Sequence, residues 1–92
     1  MTFKPQEVVD GNEAKRIIDS EVYKQAMQKL ADGYQSQWMN SKPDDVECRE
    51  RAYTKLQILA DFVAEVRTVM ETGRMAEEQQ DKMATKEVMT HY

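Results

Sequence analysis

The stretch 43-PDDVECRERAYTKLQILADFVAEVRTVMETG-73 decides the fold of this chain, because it opens on a helix-start signal and carries the densest apolar pattern. Pro43 suits the first turn of a helix, where its missing N–H is not needed. Asp44 followed three residues later by Glu47 has the spacing of a capping box, and Ser41 is an alternative cap one register earlier. The stretch therefore predicts a helix that begins at Pro43.

The end of this stretch and its apolar spacing define the predicted long helix. Gly73 can adopt the left-handed conformation that closes a helix, which predicts a helix over residues 43–72. Apolar residues recur in steps of four and three, as in a coiled-coil seam. The seam consists of Ala52, Leu56, Leu59, Val63, Val66 and Met70. Ile58, Phe62 and Val69 lie beside it and widen the apolar arc past half the circumference, so we expect neighbours on two sides.

Length and composition favour a helical protein that associates. A chain of 92 residues forms one domain with a modest core, and association between subunits adds stability. Three glycines, two prolines and no alternating run of β-branched residues give a sheet little support. We expect an all-α antiparallel helical hairpin that forms a homo-oligomer. The predicted interface, toward a second subunit or a protein partner, consists of Ile58, Phe62, Val69, Leu59 and Val66.

Charge and cysteine content narrow the classes of partner. The 17 acidic and 13 basic residues are mixed along the chain and give a formal charge of −4, which argues against non-specific nucleic-acid binding. The sequence contains no run of 18 apolar residues, so it predicts no membrane-spanning helix. The single cysteine, Cys48, has no intramolecular disulfide partner, and no leader-like segment opens the chain. We therefore expect a cytoplasmic protein with no membrane role.

The remaining segments are assigned by their turn and cap signals. Residues 1–11 are predicted to form an arm, and residues 12–40 the first helical region. That region carries an apolar stripe in steps of four, comprising Ala14, Ile18, Val22, Ala26, Leu30, Tyr34 and Trp38. Because such a stripe drifts around a straight helix, the region either wraps around its partner as one helix or breaks near residues 19–20, where Ser20 can cap a new helix. We favour the break. A short corner precedes Pro43, and residues 74–90 are predicted to form a marginal C-terminal helix.

The sequence offers little catalytic chemistry. It contains no glycine-rich phosphate loop, no paired-cysteine spacing and no nucleophile elbow, so we expect no catalytic residues, no metal site and no cofactor. Basic and aromatic residues near the corner could contact an anion or a nucleotide. These are Arg49, Arg51, Thr54, Lys55 and Trp38. Glu47 and Glu50 alternate with Arg49 and Arg51 along the helix. Ion pairs within the helix are therefore a more ordinary role for the two arginines than binding an anion.

The corner and the long helix resemble small helical proteins encoded by tailed bacteriophages. The resemblance runs from about residue 14 to residue 76. The matching residues are Trp38, Ser41, Lys42, Pro43, Asp44, Arg49, Glu50, Arg51, Leu56, Val63, Val66 and Gly73. The resemblance implies a viral origin and a location in the cytoplasm of an infected bacterium. It is compatible with a virion or packaging component or a host-directed inhibitor.

The segment from Ala52 to Gln57, together with Phe62, is similar to the last helix of phage anti-defence proteins that sequester cyclic nucleotides as ring-shaped oligomers. This similarity implies Thr54 and Lys55 as ligand contacts. Asp61 and Phe62 stand where that family has a Met-Trp pair. The small terminase subunit, which presents DNA to a packaging motor, is a third phage class of compatible size and helical content.

Overall fold

The structure is a computed structural model that describes residues 4–90, with residues 85–90 described as backbone only. The described chain contains three helices and no strand: α1 (Pro5–Asp19), α2 (Glu21–Met39) and α3 (Val46–Thr90). The all-α fold class predicted from the sequence is confirmed. None of these helices combines the length and the apolar character needed to cross a membrane.

Two compact units divide the chain. One unit combines the residues up to Ile17 with those from Val66 onward, so it contains most of α1 and the second part of α3. The other unit, Ile18–Glu65, contains α2, the corner and the first part of α3. Each unit is therefore a pair of helix segments.

Helix α1 begins much earlier than the sequence indicates. Residues 1–11 were expected to be an arm, but the helix starts at Pro5 and continues through Gly11 to Asp19. Residues 1–3 of the expected arm lie outside the described residues. Within α1, the side chain of Asp10 accepts a hydrogen bond of 2.9 Å from Gln6 Nε2 one turn earlier. Pro5 occupies the first turn, where a proline suits a helix.

Gly11 is helical because it is a site of close helix packing. A Cβ atom on Gly11 would lie 2.6 Å from the Cα atom of Gly73, and a Cβ atom on Gly73 would lie 2.7 Å from the carbonyl oxygen of Glu7. Gly11 also faces the carbonyl oxygen of Val69, which lies one turn before Gly73 on α3. Backbones this close leave no room for a side chain at either glycine.

The break between α1 and α2 lies at the position indicated by the sequence. Helix α1 ends at Asp19, and α2 begins at Glu21. Ser20 has extended backbone angles, φ −67° and ψ 129°, and its hydroxyl accepts a hydrogen bond of 3.4 Å from the backbone N–H of Tyr23. This is the geometry of an N-cap, which satisfies a backbone donor that the helix itself leaves unpaired.

Helix α3 begins three residues later than predicted and uses a different cap. Pro43 and Asp44 lie in a turn, and the carboxylate of Asp45 accepts a hydrogen bond of 3.0 Å from the backbone N–H of Cys48. Neither Ser41 nor Asp44 is the cap, because the Ser41 hydroxyl donates to the carbonyl of Trp38 over 2.6 Å and so helps to close α2. The corner is correspondingly longer than the sequence indicates.

Gly73 does not end the long helix. Helix α3 is continuous from Val46 to Thr90, and none of the described glycines has a positive φ. The predicted division into helices at 43–72 and 74–90 is therefore wrong. Arg74 bridges this region with a hydrogen bond of 3.0 Å to Glu71 and another of 2.8 Å to Glu78. The hydrogen bond to Glu71, followed by the charges of Glu71 and Glu78, raises the pKa of the Arg74 guanidinium.

Helix α2 and the first part of α3 form an antiparallel hairpin with an inner row that differs from the predicted stripe. The Lys55 ammonium lies 5.5 Å from the centre of the Tyr34 ring, and one turn later in α2 Trp38 lies beside Arg49, which precedes Lys55 in α3. The half-buried positions of α2 are Tyr23, Met27, Ala31 and Tyr34. Val22, Ala26 and Leu30, which the steps of four had placed in the packed stripe, are exposed.

The chain buries very little apolar surface by itself. Among the residues whose side chains the structure describes, the buried hydrophobic ones are Ala14, Ala52 and Ala76, and no large side chain is fully buried.

Candidate interaction surface

The five predicted interface residues divide into two groups. Ile58 and Phe62 are 62% and 52% exposed, which leaves both side chains free to contact another molecule. Leu59 and Val66 are half-buried, as expected for members of the seam. Val69 stands at the border of exposure, and its carbonyl oxygen faces Gly11 of α1. The structure therefore makes Ile58 and Phe62 the available part of the predicted interface.

Three of the predicted anion or nucleotide contacts come together at the corner. Trp38, Arg49 and Thr54, with Glu50 and Tyr53, line an open depression of about 370 Å³. The exposed rings of Trp38 and Tyr53 could stack on a planar ligand. The other two predicted contacts, Arg51 and Lys55, are not among its lining residues.

The polar groups of this depression are largely committed to the protein itself. Arg49 Nη1 donates hydrogen bonds of 2.8 Å to the carbonyl oxygens of Lys42 and Pro43. The Thr54 hydroxyl donates to the carbonyl oxygen of Glu50 over 2.8 Å. The Glu50 carboxylate adds negative charge to the lining, which opposes an anionic ligand. The depression therefore favours stacking over recognition of a phosphate.

Arg51 and Lys55 have separate local roles. Arg51 lies 3.7 Å from Glu47 in an exposed ion pair one turn apart, which contributes little to stability. Lys55 lies over the Tyr34 ring in a cation–π contact between the two helices of the hairpin. Both positive charges remain at the surface, where they can also act on an approaching molecule.

The described residues contain no group of three or more acidic, cysteine or histidine side chains arranged to hold a metal ion. Cys48 is a free, half-buried thiol on the first turn of α3.

Several important residues were missed by the sequence reasoning. Gly11 was assigned to the arm, although the pairs Gly11/Ala14 and Gly73/Ala76 share a small-residue spacing of three that indicates a close helix contact. Val22 and Leu30 were assigned to the packed stripe, yet Val22 is 77% exposed. The β-branched and aliphatic residues of α2 therefore extend the exposed apolar surface rather than the core.

No protein-family model, curated protein or solved structure matches the chain.

Proposed function

We propose that this chain is a non-enzymatic helical association protein, which self-associates and acts by binding a protein partner. One observation carries the proposal: large apolar side chains remain exposed along the helices, while the buried hydrophobic residues of the described chain are three alanines. Exposed apolar surface of this extent marks an interaction site, because contact with another protein removes it from water. Following the phage resemblance, the proposed setting is a virion or packaging component or a host-directed inhibitor.

Self-association is tested by light scattering coupled to size exclusion, at protein concentrations from about 1 to about 100 μM. We expect the mass to exceed the 10.7 kDa of one chain and to increase with concentration. A mass of 10.7 kDa throughout would contradict the self-association part of the proposal.

Partner binding is tested with the tagged chain in phage-infected cells. The expected result is stoichiometric co-purification of one host or capsid protein. Phe62→Asp should remove that protein if the exposed apolar side chains make the contact, whereas Lys24→Asp provides a surface control on another helix. Equal capture by the wild type and by Phe62→Asp would place partner binding elsewhere.

A second candidate function, sequestration of a cyclic nucleotide, is favoured by the two exposed aromatic rings at the corner depression. A ligand that binds only the folded state raises stability by about 2.7 kcal/mol at a hundred times its Kd. The test is a thermal melt with cyclic mono- and dinucleotides, using Trp38→Ala and the matched variant Tyr34→Phe. An increase in Tm that Trp38→Ala abolishes supports this function, and an unchanged Tm with every nucleotide contradicts it.

A further inference from the structure

The exposed apolar side chains of α2 form a row beside its inner face. The inner row, directed toward α3, consists of Tyr23, Met27, Ala31 and Tyr34. The exposed row consists of Val22, Ala26 and Leu30. At roughly 100° per residue, the exposed row lies roughly 100° anticlockwise from the inner row when α2 is viewed from its N-terminus.

The first part of α3 has the same arrangement. Its inner row, directed toward α2, consists of Ala52, Leu56, Leu59 and Val63. Ile58 and Phe62 lie roughly 100° anticlockwise from that row when α3 is viewed from its own N-terminus. Because the two helices are antiparallel and both right-handed, equal anticlockwise offsets bring both exposed rows to the same side of the hairpin.

These two rows form one continuous surface. One turn from the Tyr34–Lys55 contact, Leu30 lies level with Ile58, and a further turn places Ala26 level with Phe62. The surface made by Val22, Ala26, Leu30, Ile58 and Phe62 is called the apolar face below. It belongs entirely to the unit Ile18–Glu65.

Charged side chains flank the apolar face asymmetrically along α3. Glu47, Arg51 and Lys55 precede Ile58, and Glu65 follows Phe62 by three residues. All four lie within roughly 40° of the exposed row, given about 100° per residue. Glu47 is paired with Arg51 over 3.7 Å, so Lys55 leaves a net positive charge at the end near the corner. The α3 side of the apolar face is therefore positive at the end near the corner and negative at the other end.

We infer that the apolar face binds the same face of a second copy of this chain, with the two α3 helices antiparallel, as a two-fold dimer that forms a four-helix bundle. This inference rests on the proposed self-association and names its surface and geometry. Antiparallel stacking places Phe62 of one copy against Ile58 of the other. The same two-fold axis brings Arg51 and Lys55 of each copy toward Glu65 of the other, so both ends are complementary in charge.

The charge pattern discriminates between two-fold arrangements. A two-fold axis parallel to the helices would instead stack α3 of each copy on α2 of the other. The corners of both copies would then lie at the same end of the dimer. The acidic end of α3 at Glu65 would face the exposed row near Val22, where that row carries no basic side chain to pair with it. The axis perpendicular to the helices places Lys55 of the other copy beside Glu65 instead, so it is favoured.

Sedimentation equilibrium tests the surface with two matched substitutions on α3. Phe62→Asp places a charge on the apolar face and should raise the dimer dissociation constant by at least about a hundredfold. Tyr53→Asp is the control: Tyr53 is 57% exposed, close to the 52% of Phe62. It lies on the opposite side of α3, so the dissociation constant should stay within about twofold of the wild type.

Charge reversal tests the antiparallel geometry without altering the apolar contacts. Glu65→Lys and Arg51→Glu should each raise the dissociation constant by about tenfold, because each places like charges at both ends of the dimer. The double variant Arg51→Glu/Glu65→Lys should restore most of the wild-type affinity, because the charges are exchanged and attract again. Circular dichroism of each variant reports whether its helices are intact.

Each outcome of these measurements supports or overturns the inference. A wild-type chain that stays monomeric contradicts both this dimer and the proposed self-association. A dimer that tolerates Phe62→Asp as well as Tyr53→Asp leaves self-association standing and overturns the apolar face as its surface. If the single charge reversals have no effect, or if the double variant is weaker than both, the antiparallel geometry is wrong.

Discussion

Gly11 of α1 and Gly73 of α3 bring two helix backbones into direct contact: a Cβ atom on either residue would lie 2.6 Å from the Cα atom of the other. The obstacle is backbone on both sides and has no flexible side chain to move aside. The contact explains why two glycines are accommodated inside helices, where each costs about 1 kcal/mol relative to alanine. Close packing of α1 on α3 compensates for that cost.

Gly73→Ala should separate α1 from α3. Although alanine favours the helix itself, the added methyl group forces the helices apart, and overpacking of this kind costs about 1–3 kcal/mol. Urea unfolding monitored by circular dichroism measures the change, and amide exchange in residues 5–17 localises it. Gly11→Ala should behave in the same way. Equal or higher stability of both variants would contradict the close contact.

Gly33→Ala should have the opposite effect and serves as the matched control. Gly33 is helical, and a Cβ atom there would meet no heavy atom within 4 Å. The substitution should therefore stabilise the chain by up to about 1 kcal/mol, because alanine loses less backbone entropy on folding. Gly33 borders the apolar face, so unfolding is measured at a concentration where the chain is monomeric. Destabilisation under those conditions would show a hidden contact at Gly33.

Tyr23→Phe should leave stability unchanged or increase it by about 1 kcal/mol. The Tyr23 hydroxyl is buried and has no hydrogen-bond partner among the described residues, so folding removes it from water without compensation. The comparison variant is Tyr53→Phe at an exposed position, expected within about 0.5 kcal/mol of the wild type. A clear loss of stability in Tyr23→Phe, seen in thermal melts, would reveal a hydrogen-bonded hydroxyl.

Arg49→Met should destabilise the corner by about 1 kcal/mol. It keeps most of the aliphatic stem but removes the two hydrogen bonds to the carbonyl oxygens of Lys42 and Pro43. Arg49→Lys should recover only part of the loss, because an ammonium lacks the planar geometry of the guanidinium. Proteolysis of the corner, compared with an Arg51→Met control, measures the effect. Equal cleavage of all four proteins would show that Arg49 does not hold the corner.

Arg74→Ala should slightly weaken α3 around Gly73, since it removes exposed pairs at spacings of three and four residues. The pKa of Arg74 is raised, so the guanidinium stays charged across the neutral and alkaline range, and increasing pH there should not remove the effect. Added salt should reduce it. Amide exchange in residues 71–78, at low and high salt, is the measurement.

Much of the fold follows from local signals in the sequence. Low glycine and proline content and helical periodicity predict the all-α class. Ser20 marks the start of α2, because its hydroxyl caps a backbone N–H only three residues away and needs no tertiary contact to do so. The exposed positions of Ile58 and Phe62 also follow from their spacing beside the seam. Signals of this kind depend on residues within one or two helical turns, so they can be read before the chain is folded.

Tertiary packing decided the local structure wherever a residue is compatible with two conformations. Glycine can end a helix or let a second helix approach, and the two choices differ locally by about 1 kcal/mol, so the partner decides between them. Gly73 continues α3 because Gly11 lies against it, and for the same reason α1 extends through Gly11. Similarly, the row of α2 that faces inward depends on α3, which leaves Val22 and Leu30 exposed although their spacing alone is that of a packed stripe.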